Sequence, residues 1–433
     1  MRLHSIVIKK SAVFATSIVA LFVLSVGFPA QAGKSSGTGG LNAPDRIESP
    51  YLVLISIDGF RWDYQSLYDT PALDRIAESG VCAEAMRPVY PSLTFPNHYS
   101  IATGLQPAQH GIVHNDFPNE RRDAWYHLWD RSSVEDRDWY RGEPVWVAAE
   151  KSGMVSAAYY FVGTEAAIGG ISPTYWYSFD GSVPGRKRVE KVIDWLQLPA
   201  EKRPHMITLY FEDVDDAGHN FGQGSPQLAA AVAAVDANIG HLLDAIDELE
   251  IRDKVNVLIV SDHGQSDFGS VDDMFILSDH IDIDGLTVVD GGTYAWIYLD
   301  DPDRVRALEI RNAINKSWQH GRALLRDEAP ERWQIADDMR YPEIFVVPDL
   351  YHGVLLKRNN LYGNHKGDHG WDPANREMHG IFLASGPRLP VGKEIGEVSA
   401  VDVYPLMLEL LQIEPLHQSG SNHTLRDLVT PDE

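Results

Sequence analysis

Three aspartates in this chain follow apolar runs, and three histidines lie close to them in sequence. Asp58 follows Tyr51–Ile57, Asp215 follows Met206–Phe211 after three intervening residues, and Asp262 follows the run Val255–Ser261. His263 adjoins Asp262, His219 lies four residues after Asp215 in Asp215-Asp216-Ala217-Gly218-His219, and His369 lies in Gly367-Asp368-His369-Gly370. Carboxylates brought together repel one another unless a cation sits among them. Cys82 is the single cysteine, which excludes a disulfide framework and a cysteine metal cluster. A mixed Asp/His set suits Zn²⁺ or Mn²⁺. Any one of these aspartates alone reads better as a carboxylate capping a helix. Three at successive strand ends read as a metal centre.

A second candidate is the hydroxyl of Thr94, in Pro91-Ser92-Leu93-Thr94-Phe95-Pro96-Asn97-His98. A Ser/Thr at a proline-containing helix start suits a capping role. It equally suits a nucleophile whose alkoxide is stabilised by the helix dipole and a metal. Spacing alone does not separate the two readings.

These residues need elements to position them. Tyr51–Ile57, Met206–Phe211 and Val255–Ser261 are continuous apolar runs of the kind buried on both faces of a parallel sheet, and Ile381–Ala384 is a shorter fourth. Helical spacing marks 186–196, 226–249, 302–318 and 402–411. The alternation predicts an α/β fold, a mostly parallel central sheet with helices on both faces. In such sheets the site lies beyond the carboxyl ends of the strands. The Trp- and Tyr-rich span of about 116–142 breaks the rhythm and reads as a small inserted cap region over one rim.

Composition sets further bounds. The 433 residues carry 37 Lys+Arg against 62 Asp+Glu, a formal charge of −25. That balance argues against a nucleic-acid clamp, which needs a basic surface. Residues 1–32 have a basic start, an apolar run from Ala12 to Phe28 and a Pro29-Ala30-Gln31-Ala32 ending, the layout of a cleavable signal peptide. An uncleaved anchor is the alternative. Residues 33–49 read as a flexible linker and 50–433 as the catalytic domain, with no membrane span expected after cleavage. Export without disulfides points to a bacterial periplasm.

The ordered motifs Ser56-Ile57-Asp58-Gly59-Phe60-Arg61, Leu93-Thr94-Phe95-Pro96-Asn97-His98, His110-Gly111-Ile112-Val113-His114-Asn115, Gly181-Ser182-Val183-Pro184, Ser261-Asp262-His263-Gly264 and Gly367-Asp368-His369-Gly370-Trp371-Asp372 resemble the nucleotide pyrophosphatase/phosphodiesterase family of the alkaline phosphatase superfamily. The resemblance runs from about Tyr51 to near Leu428. It implies an alkaline-phosphatase-like fold and two Zn²⁺, one held by Asp58, Thr94, Asp262 and His263, the other by Asp215, His219 and His369. It implies Thr94 as nucleophile through a phospho-threonine intermediate, and Asn115 as a neutral donor to a phosphoryl oxygen. A neutral donor suits a diester monoanion better than a monoester dianion. His379 is a rival for His369, but it directly precedes a strand, whereas His369 sits in the family's motif. His98 reads as a structural helix residue, and Asp213 and Asp216 as supporting or solvated groups.

The implied substrate is a nucleotide, cleaved to a nucleoside 5′-monophosphate, with its base stacked on Phe95 and on Tyr175 or Trp176. Leu93 stands where many relatives have Lys, and Phe161-Val162-Gly163 where many have Trp-Pro-Gly; both departures bear on substrate choice. Other diesters such as phospholipid headgroups, phosphonates or sulfate esters are the alternative within the superfamily. A non-catalytic binding protein is the alternative outside it, and the complete ligand set argues against that.

Overall fold

A computed structural model describes residues 31–32, 39–269, 274–358, 365–414 and 425–430. Most of the expected signal segment and the first part of the linker therefore lie outside the described residues.

Each of the three long apolar runs forms a strand of the central sheet. Tyr51–Ile57 lies in the middle, paired in parallel with Met206–Phe211 on one side and Val255–Val260 on the other. Ser156–Tyr159 extends the sheet in parallel beyond Met206–Phe211, and Tyr175–Trp176 follows it, also in parallel. Gln31–Ala32 pairs antiparallel with Tyr175–Trp176 at that edge. On the other side, Phe382–Ser385 runs antiparallel to both Val255–Val260 and Val81–Ala83, and Lys393–Ile395 closes the edge. The sheet is thus mostly parallel, with a reversed strand that its apolar composition did not distinguish.

The two-residue period of a strand divides the core. Leu52 and Leu54 enter one apolar cluster with helices Thr94–Thr103, Val145–Lys151 and Val403–Leu410. Tyr51, Val53, Ile55 and Ile57 enter another with helices Pro71–Ser79, Gly185–Leu196 and Pro226–Asp247. Pro226–Asp247 is long and apolar enough by composition to cross a membrane, a test that the core helix of a sheet also passes. Its apolar stripe is spent on the core, and its buried Asp236 accepts from the Ala72 and Leu73 N–H groups at the start of Pro71–Ser79.

The predicted helix at 302–318 forms as Arg304–Ser317, but it packs on a separate antiparallel sheet. That sheet orders Leu286–Asp290, Ala295–Leu299, Ile344–Pro348 and Gly321–Leu325. Ala295, Ile297 and Leu299 face the helix, while Trp296 and Tyr298 join the main core. In the aromatic-rich span, Asp116–Pro118 and Trp125–His127 form a hairpin whose Trp125 ring meets Tyr298 edge-on.

Candidate active site

The three central strands point their carboxyl ends at one place. Asp58 leaves the Tyr51–Ile57 strand with its N–H bonded to Phe211 O on the neighbouring strand. Asp262 and His263 follow Val255–Val260 after one residue and are wholly buried. Asp215 and His219 sit one turn apart on the helix Asp213–Phe221, which continues Met206–Phe211 after a single residue. His369 follows Gly367–Asp368, a two-residue strand paired antiparallel with Ser266–Asp267. Gly59 must be glycine here: its φ is +67° and a Cβ would lie 2.7 Å from Asp215 Oδ1.

The side chains interlock. His219 Nε2 is 3.2 Å from Asp215 Oδ2, and His369 Nε2 is 3.8 Å from Asp215 Oδ1. His263 Nε2 is 3.0 Å from Asp262 Oδ2, 3.5 Å from Asp58 Oδ1 and 3.4 Å from Thr94 Oγ1. The His263 and His369 rings stack at 3.7 Å. Donor atoms of Asp215, His263 and His369 lie within 4.8 Å of one another, as do those of Asp58, His98 and Asp262, and those of His219, His365 and Asp368. These groupings cut across the two ligand sets that the resemblance implies, because Asp215 and His263 bridge them.

Each imidazole is held by its outer nitrogen. Nδ1 of His219 donates to Gly367 O, that of His369 to Ser92 O and that of His263 to Gly264 O. A carbonyl only accepts, so Nδ1 carries a proton and Nε2 is the nitrogen turned to the centre.

Each carboxylate is likewise held by one oxygen. Tyr210 donates its hydroxyl to Asp58 Oδ2 at 2.6 Å, the Gly59 N–H reaches Asp262 Oδ1 at 3.3 Å, and Gln265 Nε2 donates to Asp215 Oδ1 at 2.7 Å. Asp58 Oδ1 and Asp262 Oδ2 are buried without a hydrogen-bond donor. His98 Nδ1 stands 3.2 Å from Asp262 Oδ2 and 2.9 Å from Thr94 O, two acceptors that compete for its proton. Burial would lower His219 and His263, but Asp215 brings the first up to about 10 and Asp262 raises the second, so the carboxylates draw positive charge into this centre, as imidazole protons or as a bound cation. Burial, with the neighbouring Asp262 and Asp215, pushes the Asp58 carboxyl well above its usual range. Burial would raise Asp262 too, but His263 and His98 hold it well below that range. Burial and the adjacent His263 bring His369 down to about 3, so it is a neutral imidazole, as a metal ligand must be.

Thr94 is the first residue of the helix Thr94–Thr103, not its cap; Leu93 takes the cap position without a side-chain bond. The Thr94 hydroxyl is therefore not spent on capping. It faces His263 at the positive end of the helix dipole. Asn115 Oδ1 accepts the Phe95 N–H at 3.1 Å, which turns the Asn115 amide NH₂ outward as a donor. Phe95 is partly exposed and meets Tyr126 edge-on.

The other expected residues are placed as follows. His98 bonds Ser56 Oγ and Thr94 O, wholly buried beneath the site. His379 donates to Pro373 O and lies beside Glu397, outside every Asp/His group. Asp213 and Asp216 face solvent. Tyr175 stacks near Trp195 and donates to Lys202 O, next to the amino end of the Met206–Phe211 strand, so it is not brought to the carboxylates. Trp176, beside it on the same strand, makes no described contact with them either. Phe179 is better placed: 40% exposed, it packs on Tyr210, the donor to Asp58. Its only sequence signal was its position two residues before Gly181-Ser182-Val183-Pro184. Tyr210 and Gln265 were also missed. Leu93 is buried, and Phe161 packs on His98 and Trp146, so both departures are apolar packing residues.

An α/β sheet with Asp/His clusters and a helix-start hydroxyl at its strand ends defines a member of the alkaline phosphatase superfamily. The model of the Type I phosphodiesterase / nucleotide pyrophosphatase family matches residues 52–372, and the chain belongs to that family. It is 32% identical over 394 residues to ectonucleotide pyrophosphatase/phosphodiesterase family member 1 of Homo sapiens, covering 89% of this chain and 42% of that protein. It is 30% identical over 404 residues to a venom phosphodiesterase of Crotalus durissus collilineatus, covering 92% and 48%. The chain spans less than half the length of these relatives. The solved structure of human ectonucleotide pyrophosphatase/phosphodiesterase 5 superposes with a TM-score of 0.81 at 30% identity, covering 88% of this chain and 100% of that one. The murine counterpart, an inactive threonine-to-alanine variant in complex with AMP, has the same TM-score at 29% identity.

Proposed function

We propose that the chain is an exported, zinc-dependent nucleotide pyrophosphatase/phosphodiesterase that releases nucleoside 5′-monophosphates through a phospho-threonine intermediate. The observation that carries the reading is the close-packed cluster of Asp58, Asp215, Asp262, His219, His263 and His369, with the hydroxyl of Thr94 turned toward it at His263. With Thr94 these residues would hold two Zn²⁺. Zinc bound there would lower the pKa of a hydroxyl or water and offset charge developing on phosphoryl oxygens.

This chain's own residues do the rest. Thr94 Oγ1 attacks phosphorus and releases its proton to solvent water; the ester or anhydride oxygen opposite leaves with its electron pair and takes up a proton from solvent where its basicity requires one. Asn115 donates to a phosphoryl oxygen with an amide already oriented by the Phe95 N–H. Water then cleaves the Thr94–phosphate bond, releasing the nucleotide and restoring the hydroxyl. Phe95 offers one face to a base, and Phe179 is favoured over Tyr175 or Trp176 for the other because of its contact with Tyr210. The AMP complex and the inactivating threonine substitution in the murine relative support both halves of this reading.

Residues 1–32 serve as the signal peptide, residues 33–49 as linker and 50–433 as the catalytic domain, in a bacterial periplasm. The ecto- and venom enzymes among the relatives favour export. The rates on p-nitrophenyl thymidine monophosphate, p-nitrophenyl phosphate and p-nitrophenylphosphocholine test the substrate class. The first is expected to be fastest. Preference for the phosphocholine ester would move the chain to headgroup diesters, and preference for the monoester would end the diester reading.

A further inference from the structure

We propose that Gln265 is a positioning residue for the metal ligand Asp215, and that Gly218 is a glycine to make room for it. The inference rests on the proposed metal site.

Gln265 follows Asp262-His263-Gly264, so its backbone belongs to the loop that carries two candidate ligands. Its side chain crosses to the helix Asp213–Phe221, which carries two more. There its Nε2 donates to Asp215 Oδ1 at 2.7 Å and to Asp215 O at 3.1 Å. Its own carbonyl oxygen accepts from Arg61 Nη1 at 3.3 Å, which ties the same residue to the segment after Asp58. The next residue, Ser266, pairs with Asp368, and His369 comes directly after that. One residue therefore touches or adjoins every segment that supplies a ligand to the Asp215 side of the site.

The orientation of the carboxamide is informative. Gln265 is wholly buried, yet its Oε1 has no hydrogen-bond partner. A polar side chain kept in the interior with half its capacity unmet is not retained for packing, where an apolar residue would do better. What it supplies is its donor end. That donor fixes the carboxylate with Oδ2 toward His219 Nε2 at 3.2 Å and Oδ1 toward His369 Nε2 at 3.8 Å. Gly218 lies between Asp215 and His219 in sequence. A Cβ there would fall 1.5 Å from Gln265 Oε1 and 2.6 Å from its Cδ. Because the amide is enclosed, it could not swing to solvent, and the bond to Asp215 would be lost. The glycine of Asp215-x-x-Gly218-His219 thus serves the ligand through Gln265.

Gln265→Leu removes the donor at similar volume, Gln265→Glu removes it at identical shape, and Gly218→Ala displaces it. Each is compared with wild type by titrating Zn²⁺ into metal-free protein against a chromophoric chelator, with far-UV circular dichroism of the metal-free forms as control. Wild type is expected to bind two equivalents. All three variants are expected to weaken one of them by about 10–100-fold, the usual effect of losing a ligand's hydrogen-bond partner, and to leave the other unchanged. In a Gln265→Leu background, Gly218→Ala is expected to add little further loss of zinc affinity, because both changes remove the same bond. Both equivalents bound at wild-type affinity by folded Gln265→Glu overturns the role of Gln265. Full additivity with Gly218→Ala overturns the link to the glycine. Wild type binding no zinc overturns the metal site itself, a result separable from either.

Discussion

Tyr210 donates its hydroxyl to Asp58 Oδ2 at 2.6 Å from inside the strand that neighbours Asp58's own. Tyr210 lines up with Ser56 in the parallel register, so the ring passes across the strand end and holds one oxygen of Asp58 while the other stays bare. Tyr210→Phe keeps the ring, and with it the contacts to His98 and Phe179, but removes the donor. Zinc binding on the Asp58 side is expected to weaken by roughly tenfold or more. An unchanged zinc affinity in this variant would show that the bond does not position the ligand.

Removing metal is expected to lower thermal stability. Asp58, Asp215 and Asp262 would then share a buried site with no metal counter-ion, and burial with the two neighbouring carboxylates disfavours the charged form of Asp58. Ligand linkage gives about 2.7 kcal/mol at a zinc concentration 100 times Kd, which is several degrees of melting temperature for a domain this size. Calorimetry with and without chelator, followed by zinc addition, measures it. A melting temperature indifferent to both treatments would contradict a metal-filled centre.

Acid lability should come from histidines outside the site. Burial brings His110 down to about 3, and His114 and His205 to about 4. In the unfolded chain they take up protons near 6.5. Their neutral forms therefore contribute full stability above about pH 6.5, and that contribution falls as pH drops toward the folded values. At pH 5 each should cost on the order of 2 kcal/mol. Urea unfolding at pH 7.5 and pH 5 reads the slope, and His205→Gln should make it shallower. A midpoint that rises on acidification would reverse the sign and refute this origin.

Base recognition divides the aromatic candidates. Phe179→Ala should raise KM for nucleotide esters by about 5- to 150-fold, the equivalent of one lost stacking contact of roughly 1–3 kcal/mol, with a smaller change in kcat. Tyr175→Ala should leave KM unchanged, since Tyr175 is occupied with Trp195 and Lys202 O. The opposite pattern would return the pocket to the Tyr175–Trp176 strand.

The parts of the site that could be read in the sequence are those attached to long buried strands. Asp58 and Asp262-His263 end continuous apolar runs, and such runs announce both a strand and the place where it stops. Asp215 and His219 needed only the four-residue period of one helical turn. Tyr210 was hidden because it lies within a run, where an aromatic reads as core. Gln265 was hidden because a glutamine in a loop carries no sign of being buried until Gly218 is placed against it. Phe382–Ser385 looks like any other buried strand, since composition does not encode direction. The helix Arg304–Ser317 was legible, but its partner sheet was not, because that sheet is made of short strands drawn from 286–348 whose pairing depends on contacts distant in sequence.

The central claim is that Thr94 is the nucleophile within a metal centre built by the surrounding aspartates and histidines. The most direct test is the rate of p-nitrophenyl thymidine monophosphate hydrolysis by Thr94→Ala, with bound zinc determined on the same sample. The account predicts a fall of at least about 10³-fold in kcat, as expected for loss of a covalent nucleophile, with zinc still bound by the remaining Asp and His ligands. Hydrolysis within a few-fold of wild type, by a zinc-loaded Thr94→Ala protein, would contradict it.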